Sequence, residues 1–248
     1  MKKYGLIGYP LGHSFSKQYF TEKFIRENIT DCAFENFPIS SIKEFPALLK
    51  DNEDLCGLCV TIPYKEQVLE YVTDVSPAVG EIGATNSLKI TGKKITAYNT
   101  DYIGFSDSFK ALLQPHHQQA LVLGTGGAAK AVQYALKKLD IPYLTVSRRP
   151  NDAEQIISYQ QLNQQLLQQH QLIINCSPAG MEPNNHECPD IPFKYINTSH
   201  YLYDLVYKPV ETLFLQKGKA AGAITKNGMD MLICQAEATW AIWNSPDL

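Results

Sequence analysis

LVLGTGGAAKAV, residues 121–132, decides the fold. Leu121, Val122 and Leu123 form a short apolar run of the kind buried in a parallel sheet. Gly124, Gly126 and Gly127 follow, and then the alanine-rich stretch GGAAKAVQYALKKLD reads as a helix. Strand, glycine turn and helix in that order let a backbone approach a pyrophosphate and offer it helix N-terminal amides. Ala129 stands where the third glycine of G-x-G-x-x-G usually falls. Glycines also make tight turns for packing alone, but PYLTVSRR (142–149) supplies the second strand of a βαβ unit, so dinucleotide binding is predicted. At the end of that strand, Ser147, Arg148 and Arg149 offer a hydroxyl and two guanidinium groups, which suit a ribose 2′-phosphate and hence NADP. Asp152 and Glu154 close by leave NAD open.

Outward from this unit the strand–helix alternation continues in both directions. LIINCSP (172–178) and YLYDLVY (201–207) read as further strands, and YQQLNQQLLQQHQ (159–171) as a surface helix with Leu162, Leu166 and Leu167 in one stripe. Towards the N-terminus, YGLIGYP (4–10), CAFENFPI (32–39) and LCGLCVTIP (55–63) read as strands. KQYFTEKFIREN (17–28), with Phe20, Phe24 and Ile25 at helical spacing, and SSIKEFPALLK (40–50) read as helices between them. Ser41 and Glu44 are spaced as a capping box. ATNSLKITGKKITAYNTD (84–101) reads as a hairpin, and YIGFSDSFKALL (102–113) as a connecting helix. The expectation is an α/β protein of two units: a mostly parallel-sheet domain over 1–101 plus 226–248, and a Rossmann-like dinucleotide-binding domain over 102–225, with a cleft between them. The final helix, GMDMLICQAEATWAIW (228–243), is free to pack on either.

Composition narrows the function. The 248 residues are 44% hydrophobic and 19% charged, ample for a packed core. A net charge of −3 without a basic block argues against nucleic acid, and no apolar run approaches the roughly 18 residues of a membrane span. Six scattered cysteines fit a reducing, cytoplasmic setting. Cys56 and Cys59 form a C-x-x-C, but lie three apart in a strand and are expected on opposite faces, with no second pair to complete a metal site. No metal is expected.

Several polar residues fall where strands end. Lys65 follows the strand in GLCVTIPYKE (57–66), Ser14 and Ser16 follow the first strand, and Asn86, Asn99, Thr100 and Asp101 flank the hairpin. Each alone reads as a loop charge, a cap or a turn former. Together, at the carboxyl ends of strands, they read as a ligand site.

Across nearly its whole length the chain resembles the shikimate dehydrogenase family. The motifs that carry the resemblance, in order, are GYPLGHSFS, GLCVTIPYKE, GATNSL, YNTDYIGF, GTGGAAKA, SRR, INCSPAGM, DLVYKPVETLFL and NGMDMLICQA. The resemblance implies a substrate domain, an NADP-binding Rossmann domain, and NADPH-dependent reduction of 3-dehydroshikimate to shikimate, in the pathway to aromatic amino acids. It implies Lys65 and Asp101 as the catalytic pair, Ser14 and Ser16 as carboxylate ligands, and Thr61, Asn86, Tyr207 and Gln235 as further substrate contacts. Gly124, Gly126, Gly127, Ala128, Arg148 and Met229 match cofactor positions, and Asn175 and Ser177 lie in the strand-end motif beside them.

The chain departs from the family pattern at Tyr9, usually asparagine, at Lys17, usually proline, and at SRR, usually NRT. The last change leaves a quinate/shikimate dehydrogenase using NAD or NADP as the alternative. A non-catalytic NADP sensor is the reading from another class, against which the Lys65–Asp101 pair weighs. A small-molecule substrate and a monomer or homodimer are expected.

Overall fold

The computed structural model describes residues 1–12 and 15–246. Ser14 lies outside the described residues. The chain divides into two compact units, residues 1–100 with 236–248, and residues 101–235. The second seam therefore falls between Gln235 and Ala236, inside the last helix, rather than at residue 226.

The first unit is built from β1 (Lys2–Gly8), α1 (Phe15–Arg26), β2 (Cys32–Pro38), α2 (Phe45–Asp51), β3 (Leu55–Val60), β4 (Asp74–Val75), α3 (Pro77–Ile82), β5 (Ser87–Thr91) and β6 (Lys94–Tyr98). Its six strands run in the order β2-β1-β3-β5-β6-β4. β1 pairs in parallel with β2 and β3, whereas β5 runs antiparallel to β3 and to β6. β5 and β6 are the expected hairpin, turned at Gly92 with φ 59°. The Ser41–Glu44 capping box is present, with the Ser41 N–H donating to Glu44 Oε1 at 2.9 Å, but it opens a 3-10 turn from which α2 continues.

Two sequence expectations fail here for physical reasons. Ile25 is 74% exposed, and α1 buries only Phe20, Lys23 and Phe24. Cys56 and Cys59 do not face apart. A register shift opposite Lys3 and Tyr4 puts an extra residue into β3, and both cysteines pack on the same aromatic cluster.

The second unit comprises α4 (Asp101–Lys110), β7 (Ala120–Leu123), α5 (Gly127–Lys138), β8 (Tyr143–Val146), β9 (Ile156–Ile157), α6 (Gln164–Gln169), β10 (Leu172–Asn175), β11 (Tyr201–Asp204), α7 (Leu213–Ala220), β12 (Ile224–Lys226) and the start of α8 (Met229–Asn244). All five pairings in its sheet are parallel, in the order β12-β11-β10-β7-β8-β9. The central strands β7, β10 and β11 are buried throughout, which is why they read as unbroken apolar runs. The glutamine-rich segment is not one helix. Asn163 caps α6 by accepting from Leu166 N–H at 3.1 Å, which leaves Leu162 outside the helix, although Leu162 and Leu167 are both buried in the core.

α8 contributes to both cores. Met231 packs in the core of the second unit, and Ala236 and Trp243 in the aromatic cluster of the first. There Trp243 stacks on Tyr4 at 4.8 Å, and its indole N–H donates to the Leu88 carbonyl at 2.9 Å. Aromatic pairs of this geometry add about 0.5–1.5 kcal/mol beyond the area they bury.

Candidate active site

In the second unit the strand order reverses between β7 and β10, and the loops after these two strands flank the crevice where α/β sheets take ligands. The glycine turn sits on one side. Gly124 has φ 123°, closed to most side chains, and a Cβ there would lie 3.3 Å from the Cys176 backbone in the loop after β10. Gly126 caps α5 in extended conformation, and a Cβ at this position would meet nothing within 4 Å. An open face at the start of a twelve-residue helix is the cradle a pyrophosphate requires. Gly127 and Ala128, both half-buried, form the first turn of α5, while Ala129 is fully buried and packs the helix on the sheet.

β8 delivers Ser147, Arg148 and Arg149 beyond its end. Both arginines are exposed, and the Ser147 hydroxyl accepts from Arg149 N–H at 3.1 Å. These residues and the glycine turn fit a dinucleotide carrying a 2′-phosphate. Met229, half-buried, starts α8 and donates its N–H to Asn227 Oδ1 at 3.2 Å.

Asn175 keeps its side chain for partners within the protein, while Ser177 beside it is half-buried. Asn175 is completely buried, and all four of its hydrogen-bonding positions are used. Its amide donates to Asp204 at 2.9 Å and to the Ala179 carbonyl at 3.3 Å, and its oxygen accepts from Ser177 N–H at 3.0 Å and the Ser177 hydroxyl at 2.6 Å. The pair braces the turn after β10. Tyr207, in the loop after β11, is half-buried, and burial raises its hydroxyl pKa. Gln235 is buried, with its amide donating to the Leu232 carbonyl at 2.9 Å.

The first unit gathers its polar residues where β3 ends and the hairpin begins and ends. Thr61, half-buried, extends β3 by donating its N–H to the Ile7 carbonyl at 3.0 Å. The Tyr64 hydroxyl donates to the Ile39 carbonyl at 2.7 Å and fixes the segment that carries Lys65. The Lys65 carbonyl accepts from Thr85 N–H at 2.8 Å, and the next residue is Asn86. Asn86 accepts from Thr100 N–H at 2.6 Å and donates to the Thr100 hydroxyl at 2.9 Å. Thr239 of α8, fully buried, meets the Thr100 hydroxyl at 2.8 Å. Asn99 donates to the Ala84 carbonyl at 2.9 Å. Asp101 follows Thr100 in the chain and starts α4, buried. Ser16 is half-buried in the first turn of α1.

Sequence reading missed Thr239, which sits mid-helix among apolar residues with no spacing to mark it. It also missed Asp204, whose side-chain partners lie 29 and 8 residues away. Among the described residues no group of three His, Cys, Asp or Glu side chains is placed to hold a metal. No helix among them is long and apolar enough to cross a membrane.

A parallel sheet wound in both directions from β7, with a glycine turn and basic residues at its carboxyl edge, defines a dinucleotide-binding protein. Residues 6–88 match the family model described as the shikimate dehydrogenase substrate binding domain. The chain is 33% identical over 260 residues to shikimate dehydrogenase (NADP+) of Caldicellulosiruptor saccharolyticus, covering 98% of this chain and 92% of that one. It is 35% identical over 249 residues to the Clostridium botulinum protein of the same name, covering 96% and 95%. The chain belongs to the shikimate dehydrogenase family. Among solved structures, a shikimate dehydrogenase from Thermus thermophilus in complex with NADP(H) and shikimate superposes with a TM-score of 0.87 at 28% identity, covering 100% of this chain and 95% of that one.

Proposed function

We propose that this protein reduces 3-dehydroshikimate to shikimate with NADPH, in the cytoplasmic route to the aromatic amino acids. The observation that carries the reading is the hydrogen-bonded run within the first unit from Lys65 through Thr85 and Asn86 to Thr100, the residue before Asp101. It brings the segments that carry Lys65, Asn86 and Thr100 to one place. Family membership supplies the substrate, and all six cysteines are free, as a reducing compartment requires.

Bound NADPH supplies the hydride for the carbonyl carbon. As that bond forms, the carbonyl π electrons move to oxygen, and the Lys65 ammonium stabilises the developing charge and then donates a proton to it. Asp101 is the second member of the catalytic pair that the family resemblance implies. Ser14 and Ser16 hold the substrate carboxylate by hydroxyl donation, and Thr61, Asn86, Tyr207 and Gln235 bind and orient its remaining polar groups. The glycine turn would receive the pyrophosphate and Arg148 and Arg149 the 2′-phosphate, with Met229 at a further cofactor position.

The test is initial rates of nicotinamide reduction with shikimate and quinate, each with NADP and NAD. Fastest turnover with shikimate and NADP is expected; preference for quinate, or no turnover with any pair, overturns the reading. Arg148→Ala should raise the KM for NADP by about tenfold or more while leaving that for NAD unchanged, since a hydrogen bond between charged groups contributes roughly 1.5–3 kcal/mol. Equal effects on both cofactors would remove Arg148 from the 2′-phosphate site.

A further inference from the structure

Asp204 closes β11, completely buried, and has no part in the chemistry above. Its Oδ1 accepts from Asn175 Nδ2 at 2.9 Å and from Val206 N–H at 3.0 Å, and its Oδ2 from the Thr212 hydroxyl at 2.6 Å. Asn175 holds Ser177 and Ala179 in the turn after β10, the turn whose Cys176 backbone lies against Gly124. Val206 opens the loop that carries Tyr207, and Thr212 ends it while capping α7. One carboxylate thus ties together two loops at the carboxyl edge of the dinucleotide-binding sheet.

Resting on the NADPH-dependent reading, we propose that Asp204 is a positioning residue whose ionised carboxylate holds these two strand-end loops in the arrangement that binds the dinucleotide. A neutral residue would hold a core with less desolvation. Burial pushes the Asp204 carboxyl up from the ordinary 3.8 to about 6, against the pull of its three donors. The titratable groups facing it are the thiols of Cys176 in the turn after β10 and of Cys188 further along the chain. Burial raises both, Cys188 to about 11, so neither is ionised as Asp204 titrates.

The sign of the linkage makes the proposal distinctive. With its folded pKa above the unfolded one, Asp204 contributes most to stability when protonated, and that contribution falls as pH rises from about 4 to about 6. Acidification through about pH 6 therefore favours the fold through this group. It weakens the loop tie, because a neutral carboxyl accepts weaker hydrogen bonds from Asn175, Val206 and Thr212 than a carboxylate does. Stability and dinucleotide affinity should move in opposite directions.

The test is NADPH binding by fluorescence titration from about pH 5 to about pH 8, with thermal midpoints, on the wild type and on Asp204→Asn, Thr212→Val and Thr212→Ser. Near pH 8, Asp204→Asn should bind NADPH about tenfold more weakly than the wild type, with a higher thermal midpoint or an unchanged one. Below about pH 6 the wild type should lose affinity more steeply than Asp204→Asn; titration of the ligand's own phosphate is common to both. Thr212→Val should weaken binding in the same direction, and Thr212→Ser, which keeps the hydroxyl, should restore it. Wild-type affinity and pH slope in Asp204→Asn overturn the proposal; if that variant does not fold, wild-type affinity in Thr212→Val does so. A wild type that binds no NADPH at any pH overturns the underlying functional reading instead, and the inference with it.

Discussion

Lys65→Ala should lower kcat by roughly 10²–10⁴-fold, the range that a positioned general acid contributes, with little change in the KM for shikimate. The lysine is half-buried and its segment is held by backbone bonds and by Tyr64, so the variant should keep its fold. Loss confined to kcat would show that the side chain acts on the charge developing at the substrate oxygen rather than on binding. Lys65→Arg separates the two parts of the role. A guanidinium keeps the positive charge but does not release its proton near neutral pH. If proton donation matters, Lys65→Arg should stay at least about tenfold below the wild type; full recovery would make the lysine an electrostatic group only. A kcat for Lys65→Ala within about tenfold of the wild type would remove it from the chemical step.

Gly104→Ala should be among the most damaging small substitutions outside the reacting groups. Gly104 lies in α4, three residues after Asp101, where the helix packs against the start of α8. A Cβ there would stand 2.4 Å from the Met231 carbonyl oxygen and 2.8 Å from the Gln235 nitrogen. Both are helix backbone and do not swing aside. The helices must separate, at a cost of about 3 kcal/mol, the upper part of the usual overpacking range. Differential scanning calorimetry should show the melting midpoint lower by roughly 6–12 °C. Because α4 begins at Asp101 and α8 carries Gln235, kcat/KM of the folded variant should fall as well. A midpoint within about 2 °C of the wild type would mean that the close approach is relieved at no cost.

Gly104 also shows where the sequence stops being legible. Glycine inside a helix costs about 1 kcal/mol relative to alanine, so its presence asks for a reason, but the reason is a helix 127 residues later in the chain. The glycine turn at 124–127 was readable because strand, turn and helix are contiguous and the chemistry lies in the backbone. The β5–β6 hairpin was readable for the same reason. Lys65, Asn86 and Asp101 stood out because polar residues ended apolar strands, yet only the fold connects Lys65 to Asn86 through Thr85. Asn175 looked like a ligand for the cofactor by position alone, and its neighbours made it a brace. That Cys56 and Cys59 share one cluster is not legible, because an extra residue in β3 cannot be seen from alternation.

The two-sided packing of α8 bears on how the chain folds as it is made. Domains generally fold as units during synthesis, N-terminal ones first. Here the first hundred residues emerge early but lack Trp243 and Ala236, which complete their aromatic core. The second unit is continuous from 101 to 235 and is whole once those residues have left the ribosome. The half made first is therefore expected to be the half finished last. In the interval Tyr4, Phe20, Phe24 and Phe34 lack their indole cover, the stretch of synthesis in which chaperone occupancy should be highest.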